Sequence, residues 1–250
     1  CSFAQRRLKV KFEFKENYQI EDLIKIVEIL RDPVNGCPWD RVQTHESIRM
    51  NFLEETYEVL EGIDQNDSQL LCEELGDVLL QVALHSRIEE QSGGFGFNDV
   101  CDGICKKLIT RHPHIFSANA LIPEKSEVPD AWEKLKNQEK GRRTIKDELE
   151  SVPVTLPALM KALKLQKRAA RHGFGCDSQA KAMQNIRMAM RNMENCPDEA
   201  AIGQLLFAAA EASRLAGIDP ELALEKANKA FTENCEQAAN EQGKILQADG

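Results

Sequence analysis

No apolar run in this chain approaches the roughly 18–20 residues that a membrane-spanning helix needs. Its eight cysteines (1, 37, 72, 101, 105, 176, 196 and 235) include no CxxC pair and no cysteine–histidine set at zinc spacing. Cys101 and Cys105, four apart on one helix face, are the only close pair. Free thiols in a reducing cytoplasm are expected. There is no GxxxxGK[ST] loop and no GxGxxG turn, so the familiar glycine-rich phosphate cradles are missing. Outside the first residues no alternating β pattern occurs. Positive charge is in deficit: 32 Lys and Arg face 41 Asp and Glu, for a net charge of −9. That balance argues against stable nucleic-acid binding by the whole molecule. The opening CSFAQRRLKVKFEF is basic but has no apolar segment behind it, so it does not read as a secretory signal.

The sharpest absence is local. Residues 50–86 contain no lysine or arginine, yet they hold nine acids: Glu54, Glu55, Glu58, Glu61, Asp64, Asp67, Glu73, Glu74 and Asp77. Two helical patterns flank the polar turn IDQNDS. The first carries EExxE (Glu54, Glu55, Glu58) and the second ExxD (Glu74, Asp77). Spacings of three and four place such side chains side by side on a helix. Paired antiparallel, the two helices gather carboxylates with no local cation. That is costly unless water or a metal ion meets them.

The rest of the chain reads as helix after helix. Amphipathic periodicity predicts helices over 20–30, from 44 or 45 to about 65, from 68 to about 91 with Asp67 or Ser68 as its cap, and from a cap at Asn98 to about 111. Further helices are predicted over 130–143, 156–171, 178–194, 198–216 and 219–242. RDPVNGCPWD (31–40) is a loop, and 143–157, with its prolines, marks a linker. ELGDVLLQVALHSR (74–87) aligns without gaps on AIGQLLFAAAEASR (201–214), which reveals an internal repeat. Glu74 becomes Ala201 and Asp77 becomes Gln204; Glu54, Glu55 and Glu58 fall opposite Met188, Ala189 and Asn192. One fold is present twice, with the acids in the first copy alone.

Two readings of the first acidic helix stay open. Phe52, Leu53, Val59, Leu60 and Ile63 form an apolar side with Glu54, Glu58 and Glu61 opposite, as any solvated helix has. Alternatively these acids hold metal. Asp77 is harder to explain as surface, because it is the only charge in LGDVLLQVAL and its face neighbours are Leu70, Leu80, Gln81 and Leu84. All-oxygen ligands favour Mg²⁺ or Mn²⁺ over zinc or copper. The ExxH pairs of di-iron bundles are missing, and His85 reads as a core or boundary residue. Lys107 and Arg111, and Lys134, Lys136 and Lys140 beside Trp132, are either ordinary surface lysines around a core tryptophan or contacts for a phosphate tail and a base.

Together GCPWD (36–40), EETYEVLEGI (54–63), EELGDVLLQV (73–82), KLITRHPHIF (107–116), WEKLKNQEK (132–140) and LPALMKALKLQKRAARHGF (156–174) resemble the tandem-domain MazG nucleoside triphosphate pyrophosphohydrolases. The resemblance covers roughly residues 20–240. It implies an all-α fold of the all-α NTP pyrophosphatase superfamily, dimerising through helices. It implies hydrolysis of NTPs between the α and β phosphates to NMP and pyrophosphate with Mg²⁺, for which Mn²⁺ can substitute. By that resemblance Glu55, Glu58, Glu74 and Asp77 are metal ligands, and Glu54 orients or deprotonates the attacking water. Lys107 and Arg111 match phosphate-contacting positions, and Trp132 and Lys136 nucleotide-contacting ones. The expected organisation is a tail over 1–18, disordered or an upstream remnant, a catalytic domain over 19–145, and a degenerate second domain over 146–250. The rival expectation is a helical interaction protein descended from such an enzyme. Its motives are the degenerate second half and the basic stripe Lys161, Lys164, Lys167, Arg168 and Arg171, which is read first as a face for the acidic first domain and otherwise as one for an outside partner.

Overall fold

The structure, a computed structural model, describes residues 12–117, 128–141 and 144–248. Side chains of 128–130 and 241–248 lie outside that description, as do residues 1–11 of the expected tail. Among the described residues every regular element is helical. The chain forms two compact units, Cys1–Pro123 and Glu124–Gly250.

The first unit holds α1 (Ile20–Leu30), α2 (Arg49–Asp64), α3 (Ser68–Gln91), α4 (Phe97–Arg111) and the short α5 (Pro113–Phe116). Ahead of them, Lys15 reaches Asp22 of α1 at 2.6 Å, and the Phe12 and Tyr18 rings stack. The α2–α3 reversal takes three residues. Asn66 adopts a left-handed conformation (φ 56°), which ends α2, and the Asp67 N–H closes onto the Gly62 carbonyl at 3.0 Å. The Asp67 side chain then accepts from the N–H groups of Gln69 and Leu70, capping α3 as predicted. The predicted cap at Asn98 moves to Gly96, whose N–H donates to Asp99 at 2.8 Å. Helix α2 starts later than its periodicity suggests, because residues 44–47 form a turn bonded through Thr44 and Ser47.

Val27, Ile48, Ala83, Leu84 and Ile88 make the core of this unit, with Leu23, Leu80 and Phe97 packed against it. The loop 31–43 is tied down by Arg31, which is 5% exposed. Its guanidinium donates to Gln91 Oε1 and to the carbonyls of Asp40 and Gln43, and Gln91 returns a bond to the Arg31 carbonyl. Arg31→Ala leaves these acceptors unmet inside the fold. It is expected to lower unfolding stability by about 2–3 kcal/mol, read as a drop in the denaturant midpoint.

The second unit holds α6 (Val128–Glu139), α7 (Ile145–Glu150), α8 (Ala158–Arg171), α9 (Gln179–Asn195), α10 (Glu199–Leu215) and α11 (Pro220–Ala248). The expected linker region thus carries a helix, α7, capped by Thr144 accepting from Asp147 N–H. Arg168 donates to the Glu148 carbonyl and Ser151 Oγ, which fastens α7 to α8. Part of the basic stripe is therefore internal to this unit. Helices α9 and α10 pair as α2 and α3 do, in keeping with the repeat.

Candidate active site

At Gly62 the backbones of α2 and α3 come close together. A Cβ there would meet the Leu71 backbone nitrogen at 2.9 Å, so only glycine permits the approach. One turn back from Gly62 lies Glu58, and one turn on from Leu71 lies Glu74. The helix contact therefore sets these two carboxylates face to face. Glu55, Glu58 and Glu74 converge so that one oxygen of each lies within 4.8 Å of the others. They are graded in depth: Glu74 is 8% exposed, Glu55 half-buried and Glu58 exposed.

Electrostatics separate this cluster from the other buried acids. Burial, and then the charges of Asp77, Glu58 and Glu54, lift the Glu55 carboxyl above its ordinary range. Burial, and then Glu58 with its hydrogen bond and charge, do the same to Glu74, with Asp77 and Glu73 adding to it. Glu74 Oε2 is buried without a hydrogen-bond partner. Glu211 in the second unit behaves in the opposite way. Burial pushes it up, but Arg214 at 2.9 Å and the Cys176 N–H more than offset this, and it is lowered. Glu148 is likewise pushed up by burial yet lowered on balance by Arg171 and His172. The other buried acids among the described residues have cations; the α2–α3 cluster has an orphaned oxygen and mutual repulsion. Its donors are all carboxylate oxygens, which suit a hard divalent cation.

The repeat supplies an internal control. Ala201, opposite Glu74, is 7% exposed, and Ala189, opposite Glu55, is 6% exposed. The scaffold buries a methyl at both places in the second unit. The packing does not call for carboxylates there.

Residues 43–116 match the MazG nucleotide pyrophosphohydrolase domain. The chain is 40% identical over 224 residues to a nucleoside triphosphate pyrophosphohydrolase of Escherichia coli (strain K12), covering 85% of this chain and 84% of that protein. It is 36% identical over 234 residues to the nucleoside triphosphate pyrophosphohydrolase/pyrophosphatase MazG of Thermotoga maritima, covering 91% and 89%. This chain belongs to the MazG family.

Its matched segment contains the carboxylate triad and ends at Phe116, just beyond α4. Asp77 lies outside the 4.8 Å triad, half-buried one turn beyond Glu74, near enough to raise both Glu55 and Glu74. Glu54 is exposed and reaches the cluster through its charge on Glu55. Lys107 and Arg111 sit one turn apart on α4, which packs against α3; Lys107 is half-buried and Arg111 buried. Trp132 and Lys136 lie on α6 in the second unit, both half-buried, with Lys136 bonded to Glu133.

One polar group escapes the sequence reading. His45 Nδ1 lies 2.8 Å from His85 Nδ1, and His45 Nε2 lies 3.1 Å from Glu89 Oε2. The Phe52 ring meets His85 edge-on. Burial first, then the nearby His45, lowers the His85 pKa. The i, i+4 spacing of His85 and Glu89 is visible in sequence, but their partner 40 residues upstream is not. This group ties the turn ahead of α2 to α3 and so supports the register that assembles the triad.

Proposed function

We propose that the first copy, within residues 19–145, hydrolyses nucleoside triphosphates between the α and β phosphates, giving NMP and pyrophosphate, with Mg²⁺ as the metal and Mn²⁺ as a substitute. Glu55, Glu58, Glu74 and Asp77 hold the ion. The observation that carries this reading is the convergence of three carboxylates around an unpartnered buried oxygen, with no Lys or Arg bonded to them among the described residues. The related proteins named as triphosphate pyrophosphohydrolases support the substrate class. When bound, the ion offsets triphosphate charge and polarises the phosphoryl group under attack. Glu54 orients the attacking water and takes its proton. Lys107 and Arg111 pair with phosphate oxygens as the α–β bridge breaks, Trp132 stacks on the base, and Lys136 meets the phosphate chain.

The remaining assignments follow the same reading. The catalytic part is the first copy, within residues 19–145, and the second is a degenerate copy that stabilises or regulates. The chain works as a homodimer. Phe52, Leu53, Leu60 and Ile63 of α2, with Leu75 and Leu79 of α3, are exposed, so the apolar side expected to be covered lies open in the single chain. A second copy covers it. The seven described cysteines are free thiols, in keeping with a cytoplasmic protein.

The test is pyrophosphate release across a panel of NTPs and dNTPs, with Mg²⁺, with Mn²⁺ and with EDTA. Turnover with either metal and none with EDTA is the expected result. Tight binding of any of these nucleotides without turnover would favour the non-catalytic reading instead.

A further inference from the structure

We propose that Arg171 is a positioning residue for substrate binding: it neutralises Glu133 and so frees Lys136 for the triphosphate. The proposal rests on the reading that Lys136 meets the nucleotide. Lys136 Nζ lies 3.2 and 3.1 Å from the two carboxylate oxygens of Glu133, one turn back on α6. The Glu133 side chain is 17% exposed, so water screens this pair poorly. An ammonium gripped by both oxygens of a sheltered carboxylate is a weak phosphate ligand unless that carboxylate has another cation.

Arg171, at the end of α8, is that cation. Its Nη2 lies 3.3 Å from Glu133 Oε1 and 2.9 Å from Glu148 Oε2. Glu148 also faces His172 Nε2 at 3.0 Å, so it does not depend on Arg171 alone. The order is Lys136, Glu133, Arg171, Glu148, His172, with charges alternating as far as Glu148. Lys136 is the terminal member and has no second carboxylate contact among the described residues. It can leave the row without stranding an acid, because Glu133 keeps Arg171. The row borders a cleft of about 430 Å³ that Lys134 and Asn137 also line. With Arg171 removed, Glu133 would hold Lys136 more tightly and would itself repel an arriving polyanion.

The experiment is steady-state NTP hydrolysis by the full chain with Mg²⁺. Arg171→Ala is expected to raise KM about two- to fivefold, the scale of a part-exposed ion pair, with kcat within about twofold of the parent. Glu133→Gln is expected to lower KM, and the double variant Arg171→Ala/Glu133→Gln to return KM close to the parent value. A scaffold role predicts the reverse, since Glu133→Gln breaks the same ion pair: KM would not fall, and the double variant would be no better than Arg171→Ala. That result overturns the proposal. If Arg171→Ala fails to fold, Glu133→Gln alone decides, with an unchanged or raised KM counting against. Lys136→Ala separates the two readings. An unchanged KM there overturns the nucleotide role of Lys136 and this inference with it. A raised KM there beside an unchanged one for Arg171→Ala overturns this inference only.

Discussion

Glu74→Gln is expected to cut pyrophosphate release by roughly 10²–10³-fold, since a metal's contribution of several kcal/mol is lost at about 1.36 kcal/mol per decade. Glu74 is the deepest member of the triad and the one with an orphaned oxygen. The amide keeps the shape but removes the charge and offers a donor toward the ion. Asp77→Asn is expected to follow in the same direction. The metal-free Glu74→Gln protein should melt higher than its parent, because a repelled, buried carboxylate has been replaced by a neutral group. Lower activity with higher stability marks a functional residue whose charge the fold resists. Full activity in both variants would mean that the site lies elsewhere.

The second large effect is a pH dependence that metal reverses. Glu55 and Glu74 titrate above their ordinary value of 4.5 in the folded chain. A raised carboxyl holds its proton more tightly folded than unfolded. Its contribution to stability is fully present below pH 4.5 and is lost as pH rises through the folded pKa. Glu148 and Glu211 run the other way. Their folded values are lowered, so their contribution is present above 4.5 and fades as pH falls through the folded values. The cluster must therefore be read as a difference. The melting temperature of Glu55→Gln minus that of the parent, without metal, is expected to widen as pH rises from 4.5 toward 8. Added Mg²⁺ inverts the picture, because protons and metal compete for the same oxygens. At about 100 times Kd the ion stabilises by about 2.7 kcal/mol at high pH, and the gain vanishes as the carboxyls protonate. A Mg²⁺-induced shift that ignores pH, or survives in Glu74→Gln, would rule out this cluster as the binding site.

Helix periodicity, turn residues and caps are local properties, and they were legible. The Gln65–Asp67 reversal, the Asp67 cap and the spans of α1, α3, α8, α9 and α10 follow from residues within one or two turns of each other. The start of α2 was harder, because the turn at 44–47 is held partly by His45 contacts 40 and more residues away. The same limit applied to the basic stripe on α8. Its spacing suggested a face for the acidic first domain or for an outside partner, yet Arg168 is buried against α7 and the part-exposed Arg171 bonds to acids of α6 and α7 in their own unit.

What the sequence determined by itself is the chemistry on offer: a cation-free acidic helix pair, and a second copy of that pair in which alanine, methionine, asparagine and glutamine replace the acids. What only the tertiary structure decided is how closely the acids come together, and that Asp77 stands outside the closest group. Of the nine in residues 50–86, Glu55, Glu58 and Glu74 converge, while Glu54, Glu61 and Glu73 stand outside that group. Periodicity assigns a residue to a face of its own helix. It carries no register between two helices, and here that register is set where Gly62 lets α2 and α3 come into backbone contact at Leu71.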